Sequence, residues 1–211
     1  STQDTKYGPR PSDWSDLPIS DFAFEVSERM GSNEKLPVLS CTKHAGLVDS
    51  LKYFGKQIYS EDIANYKIVR CNQFAYATNH IEEGSIGLLT DLEAGLVSPM
   101  YTVFGVSEKA NPAFLYLLFK TEMYRHIFAS NTSASVDRRG SLRWHQFSQI
   151  RVALPSLPEQ RKIVATFQIL DNEIQLLETQ LAALKQQKKG LMQKLLSGQV
   201  RVPLPDGGTN Q

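Results

Sequence analysis

No run of apolar residues in this chain approaches the 18 that a membrane-spanning helix needs, and the first 20 residues are largely polar. Transmembrane and secretory readings fall away, and the expected location is cytoplasmic. Cysteine is scarce. Cys41 and Cys71 are the only two, with no CxxC and no His–Cys spacing. They are expected to be small buried hydrophobes, not a disulfide or a zinc site. His44, His80, His126 and His145 stand alone, none at metal spacing, so no metal is expected. The chain also lacks an excess of either charge. At a formal +1, net charge announces no nucleic-acid partner, and any such signal must be local. There is no P-loop, no HExxH and no GxSxG. Gly84-Ser-Ile-Gly87 lacks the third glycine and the helix of a dinucleotide loop. No catalytic residue is assigned.

What is present is a chain of 211 residues, enough for one domain and an appendage. It begins at Ser1, not Met, and reads as trimmed or as part of a longer protein. Residues 1–13 are polar and contain proline, as an N-terminal arm or linker would. Phe22, Phe24 and Val26 alternate like a half-buried strand, and Leu36 to Cys41 reads as an edge strand with proline near its start. Further short strands are expected at 66–70, 74–77, 86–89, 95–99 and 101–104. Asn111 and Pro112 are an N-cap and a first-turn proline, opening a helix expected to reach about Phe128. Residues 130–143 read as a polar loop, 144–150 as one helical turn, and 151–155 as a last strand. Many short strands and one substantial helix give an α+β domain over residues 14–155.

Residues 156–198 read as one long helix. Ile163, Phe167, Leu170, Ile174, Leu177, Leu181, Leu184, Lys188, Leu191 and Leu195 follow in steps of four and three. That is a heptad seam with one polar member, Lys188. Ser156 and Glu159 form a capping box around Pro158, and Gly198 sits at the C′ position. Pro203 and Pro205 then bar continuation in the tail, 199–211. Such a helix is roughly 60 Å long, against about 40 Å for the preceding domain. It is expected to project and to bury its seam against a second helix.

The informative charge is local. Arg125, Arg138, Arg139, Arg143 and Arg151 face a single acid, Asp137. Ser135, Arg138, Arg139, Ser141 and Arg143 share one polar stretch, and arginine forks with serine hydroxyls suit phosphate oxygens and the guanine edge. The plain alternative is a solvated surface loop. Thr42, Lys43 and His44, and Asn79 with His80, are weaker candidates of the same kind. Lys185, Lys188, Lys189 and Lys194 make the lower helix basic, which suits DNA phosphates or another subunit. Asn111-Pro-Ala-Phe114 half-matches the N-P-P-Y/F run of adenine amino-methyltransferases, but with one proline missing and no glycine-rich turn upstream it reads as a helix cap.

Several runs together resemble the type I restriction-modification specificity subunits. They are Val152-Ala-Leu-Pro-Ser-Leu-Pro-Glu-Gln-Arg-Lys-Ile163, Leu170-Asp171-x-x-Ile174, Gly190-Leu-Met-Gln-Lys-Leu-Leu-Ser-Gly198 and Val200-Arg-Val202. Upstream, Tyr66-Lys-Ile-Val69, Phe74-Ala-Tyr76, Gly84-Ser-Ile-Gly87 and Ser98-Pro99-x-Tyr101 are similar to the strands of that family's target recognition domain. The resemblance spans about residues 14–202. It implies an α+β recognition domain reading double-stranded DNA, and a long helix packed antiparallel on a partner helix as a coiled coil. It also implies assembly with modification (methyltransferase) and restriction subunits. It implies no catalysis by this subunit, with S-adenosylmethionine, ATP and Mg used only by the partner subunits. Family members usually carry two recognition domains and two such helices. This chain has one of each, so it reads as half of a longer subunit or as a half-size subunit that forms a homodimer. A coiled-coil protein adaptor that binds no nucleic acid is the alternative.

Overall fold

The computed structural model describes residues 2–5, 8–30, 36–132 and 140–203, with side chains from residue 11 onward. In chain order the strands and helices are β1 (Thr2–Thr5), β2 (Gly8–Pro11), β3 (Ser15–Pro18), β4 (Ala23–Val26), β5 (Leu39–Thr42), β6 (Gly46–Asp49), α1 (Ser50–Phe54), β7 (Lys67–Arg70), β8 (Phe74–Ala77), β9 (Ile86–Leu88), β10 (Ala94–Val97) and β11 (Tyr101–Val106). Then come α2 (Pro112–Phe119), α3 (Glu122–Thr132), α4 (Trp144–Phe147), β12 (Arg151–Leu154) and α5 (Leu157–Leu196). Two compact units result, Ser1–Val164 and Ala165–Gln211.

In the first unit, four antiparallel strands run in the order β4-β11-β8-β9. Antiparallel pairs β7–β10, β5–β6 and β3–β12 surround them. Every residue of β8 and β10 is buried, which is why both read as unbroken apolar runs and not as alternation. Strand periodicity still sorts the faces of β8 and β11. Phe74, Tyr76 and Phe104 point to one side, where Phe119, Phe128 and Phe147 meet them from α2, α3 and α4. The rings of Phe74 and Phe104 stack at 4.7 Å. Ala75 and Val103 point to the other side, against Leu39, Val69, Leu89 and Val97.

Several local expectations shift. Within the stretch expected as an arm or linker, Thr2–Thr5 and Gly8–Pro11 form a strand pair, β1 with β2. Phe22 is buried before β4 begins, but Phe24 is 53% exposed. Its ring lies over Gly105, where a Cβ would come within 2.7 Å. The helix expected to run unbroken from Pro112 divides at Thr121, whose Oγ1 donates to the Leu118 carbonyl and accepts the Tyr124 N–H. A threonine followed by Glu122 is a good helix start, and it restarts this one. Cys41 is half-buried, and desolvation pushes its thiol up to about 12. Cys71, expected to be buried, is exposed in the turn after β7, where Asn72 takes a positive φ of 64°.

The first unit ends at Val164, past the expected boundary at Pro155, because the first turns of α5 belong to its core. Ile163 and Val164 pack on the aromatic cluster. Gln160 is 1% exposed, accepts the Asn111 N–H at 2.7 Å and donates to the Pro155 carbonyl at 2.9 Å. Glu159, expected to close a capping box with Ser156, accepts the Trp14 indole N–H.

The second unit is the remainder of α5 and the residues after it. Its end matches the sequence signals. Gly198 takes a φ of 73°, its N–H reaches the Leu195 carbonyl, and the Val200 N–H reaches the Lys194 carbonyl. Phe167, Leu170, Ile174, Leu177, Leu181, Leu184, Lys188 and Leu191 are exposed, and Leu195 is half-buried. Among the described residues, no helix is long and apolar enough to cross a membrane.

Candidate nucleic-acid interface

An open cleft of about 650 Å³ lies in the first unit, walled by the end of β8, the start of β11 and the segment before α4. Three of the sequence candidates line it, namely Asn79, Ser141 and Arg143. What brings them together is a backbone clamp. Leu142 is fully buried, and its N–H donates to the Thr78 carbonyl at 2.7 Å. The Thr78 hydroxyl in turn donates to the Met100 carbonyl. Ser141 and Arg143, on either side of Leu142, are thereby held beside Asn79. Arg143 is also the residue that caps α4, and its carbonyl receives the N–H groups of Gln146 and Phe147.

Among the lining residues that were not contact candidates from sequence are Lys67, Met100, Glu25 and Trp144. Lys67 donates to the Tyr101 carbonyl at 2.6 Å. Desolvation holds its ammonium below the usual lysine range, with Glu25 opposing that shift and Arg29 adding to it. Met100 is exposed, and the half-buried Trp144 ring packs on Phe104 at 5.6 Å. Two cations, Lys67 and Arg143, thus stand against one carboxylate, Glu25, beside amide and hydroxyl groups and apolar surface. That set suits a polyanion that also presents flat apolar faces. Lys67 lies in an expected strand and Trp144 in an expected helical turn, so neither carried a local signal of contact.

The remaining candidates fall elsewhere. Thr42, Lys43 and His44 form the β5–β6 turn. The Thr42 hydroxyl bonds Ala45 and Gly46, and Gly46 takes a φ of 66°. Lys43 and His44 are exposed. Lys120 ties this turn to the one before β9, donating to the carbonyls of Lys43 and Gly84. His80 is exposed and meets Glu83 at 3.3 Å. The ligand atoms of His80, Glu82 and Glu83 lie within 4.8 Å of one another, a common arrangement of surface acids at a turn. None of these residues lines the cleft. Ser135, Arg138 and Arg139 lie outside the described residues.

The basic stretch is also divided by its ion pairs. Arg151 donates to Asp16 through both its carboxylate and its carbonyl. Arg125 pairs with Glu122 and donates to the Glu82 carbonyl. Arg143 pairs with no acid among the described residues.

The sequence model of the family described as type I restriction modification DNA specificity domain matches residues 13–186. A Methanocaldococcus jannaschii protein assigned as the type I restriction enzyme MjaX specificity subunit is 26% identical over 150 residues, covering 67% of this chain and 34% of that protein. Among solved structures, the HsdS subunit from Thermoanaerobacter tengcongensis matches with a TM-score of 0.59 at 22% identity, over 93% of this chain and 53% of that one. The type I restriction-modification S subunit from M. genitalium matches with a TM-score of 0.51 at 14% identity, over 87% and 46%. The chain thus spans about a third of the Methanocaldococcus protein and about half of each solved chain. The α+β domain and its long C-terminal helix have the fold of these subunits. The chain belongs to the type I restriction-modification DNA specificity domain family.

Proposed function

We propose that the first unit reads one half-site of a bipartite DNA target. The long helix pairs with a partner helix, spaces two such readers and docks the modification subunits. The observation that carries the DNA-reading part is the cleft holding Asn79, Ser141 and Arg143 beside Lys67 and Trp144. Arg143 is its leading base-contacting group. Its planar fork matches the guanine edge, and no acid among the described residues neutralises it. Arg138 and Arg139, which lead into this segment in sequence, are candidates for phosphate or base contact. The subunit performs no covalent chemistry. S-adenosylmethionine, ATP and Mg serve the modification and restriction subunits.

The helix carries the spacing. Centres of readers one turn of DNA apart are about 34–36 Å from each other, and a 40-residue helix spans about 60 Å. Antiparallel pairing gives one reader at each end, related by a two-fold axis. The target is then two half-sites with an unread gap.

Arg143→Ala is expected to weaken specific binding by about 1–3 kcal/mol, measured by competition against an unrelated duplex. A triple Arg138/Arg139/Arg143→Ala variant with full affinity and specificity would remove this segment from the interface. Salt dependence separates the reading from a protein-binding adaptor. Phosphate neutralisation makes log K fall steeply with log[salt], and a flat line would favour the adaptor.

A further inference from the structure

We propose that Glu25 determines part of the sequence specificity, by accepting a hydrogen bond from the amino group of a cytosine whose paired guanine meets Arg143. The inference rests on the DNA reading proposed for the cleft. It adds a second reading residue and the base pair that the two select.

The placement of Glu25 comes from the sheet. β4 is an edge strand beside β11, and Glu25 stands opposite Phe104 in that ladder. Residues paired in this way share a face of the sheet. Glu25 therefore lies on the side where the Phe104 ring packs on Trp144 at 5.6 Å. Arg143 directly precedes Trp144. The two charged groups thus line one cleft, Glu25 from the β4 edge and Arg143 from the segment before α4. They do not neutralise each other. Among the described residues, neither belongs to an ion pair. Lys67, the other cation of the cleft, gives its ammonium to the Tyr101 carbonyl at 2.6 Å. Glu25 is exposed, so its carboxylate is open to a ligand.

A carboxylate facing a polyanion is selective about what it can bind. It repels phosphates, and when ionised it only accepts hydrogen bonds. In the major groove the base donors are the amino groups of cytosine and adenine. Adenine sets its N7 acceptor beside the amino group, and that lone pair is unfavourable against a carboxylate, whereas cytosine has no acceptor on this edge. The oxygens of guanine and thymine are rejected in the same way, so one side chain both favours the right base and disfavours the others. Along its edge a G·C pair presents two acceptors and then a donor. An arginine fork beside a carboxylate is the complement of that pattern, and these are the two charges the cleft leaves unpaired. The plain alternative is that Glu25 only tempers the positive charge of the cleft. In that case its removal strengthens binding to every duplex alike and changes no base preference, so the two readings separate cleanly.

The test is selection of bound duplexes from a random pool by the full chain with the modification subunit, followed by competition between the selected site and sites with one G·C pair changed to A·T. The parent is expected to select a G·C pair within the half-site. Glu25→Ala is expected to lower the discrimination at one such pair by about tenfold and to leave the rest of the half-site as it was. Glu25→Gln can still accept from cytosine but can also donate to thymine O4. It is expected to keep its affinity for the parental site and to gain affinity for the A·T site. Both variants should melt as the parent does, since the side chain is exposed. Parental discrimination at every G·C pair in both variants, or a uniform gain in affinity for all duplexes, overturns the role of Glu25. The reading of DNA by the cleft still stands in that case if Arg143→Ala relaxes the selection. An Arg143→Ala chain with parental affinity and selectivity overturns the reading by the cleft, and this inference with it.

Discussion

Leu177→Asp is expected to turn a dimer into a monomer while leaving the first unit intact. Leu177 stands on the seam next to its centre and is 56% exposed in the single chain, so the substitution costs the monomer little. In the pair, two leucines leave a dry interface, each worth about 1.5–3 kcal/mol. Two carboxylates would have to enter in their place without partners, which adds a desolvation penalty of similar or larger size. The sum exceeds roughly 5 kcal/mol, a weakening of more than a thousandfold. Light scattering should report the monomer mass at concentrations where the parent is dimeric, with an unchanged melting transition. A dimer mass for this variant would place the interface elsewhere than the seam.

Phe147→Ala is expected to cost the fold about 3–5 kcal/mol, the usual range for deleting a fully buried aromatic ring. Phe147 is completely buried and touches Tyr76 at 4.8 Å, Phe104 at 5.2 Å, Phe128 at 5.7 Å and Phe119 at 5.9 Å between ring centroids. It therefore joins the central strands to α2, α3 and α4 at once. For a chain of this size the melting temperature should fall by about 10 °C. The loss should also reach the cleft, because α4 follows directly on Ser141, Leu142 and Arg143. DNA affinity is expected to fall even below the melting transition. Calorimetry showing a parental transition, or full DNA affinity in the folded variant, would contradict this placement of the ring.

The long helix was legible because its signals are local and redundant. Ten positions keep one period, and Gly198 terminates the helix with the positive φ it was expected to adopt. The short strands were legible by their apolar runs, but not their partners. β7 and β8 are consecutive yet pair with different strands, β10 and β11, a choice made by packing on both faces. The cleft was half legible. Asn79 and Arg143 carried a composition signal, whereas Lys67 and Glu25 reach the same place only through sheet topology. Arg151 read as one more cation of a basic stretch. Its partner, Asp16, is 135 residues away and reaches it through the β3–β12 pair. Thr121 did carry a signal, a helix-capping residue followed by an acid inside an otherwise periodic stretch, and it marks the real break between α2 and α3.

The central claim is that a helix pair holds two DNA readers at a set distance. It is tested most directly by selecting bound duplexes from a random pool, with the modification subunit present, for the parent chain and for a variant with one extra heptad inserted after Leu181. Seven residues add about 10 Å of helix, or about three base pairs at 3.4 Å each. Both proteins should select the same two half-sites, with the unread gap longer by about three base pairs in the variant. An identical gap in both selections, or a single continuous site, would contradict it.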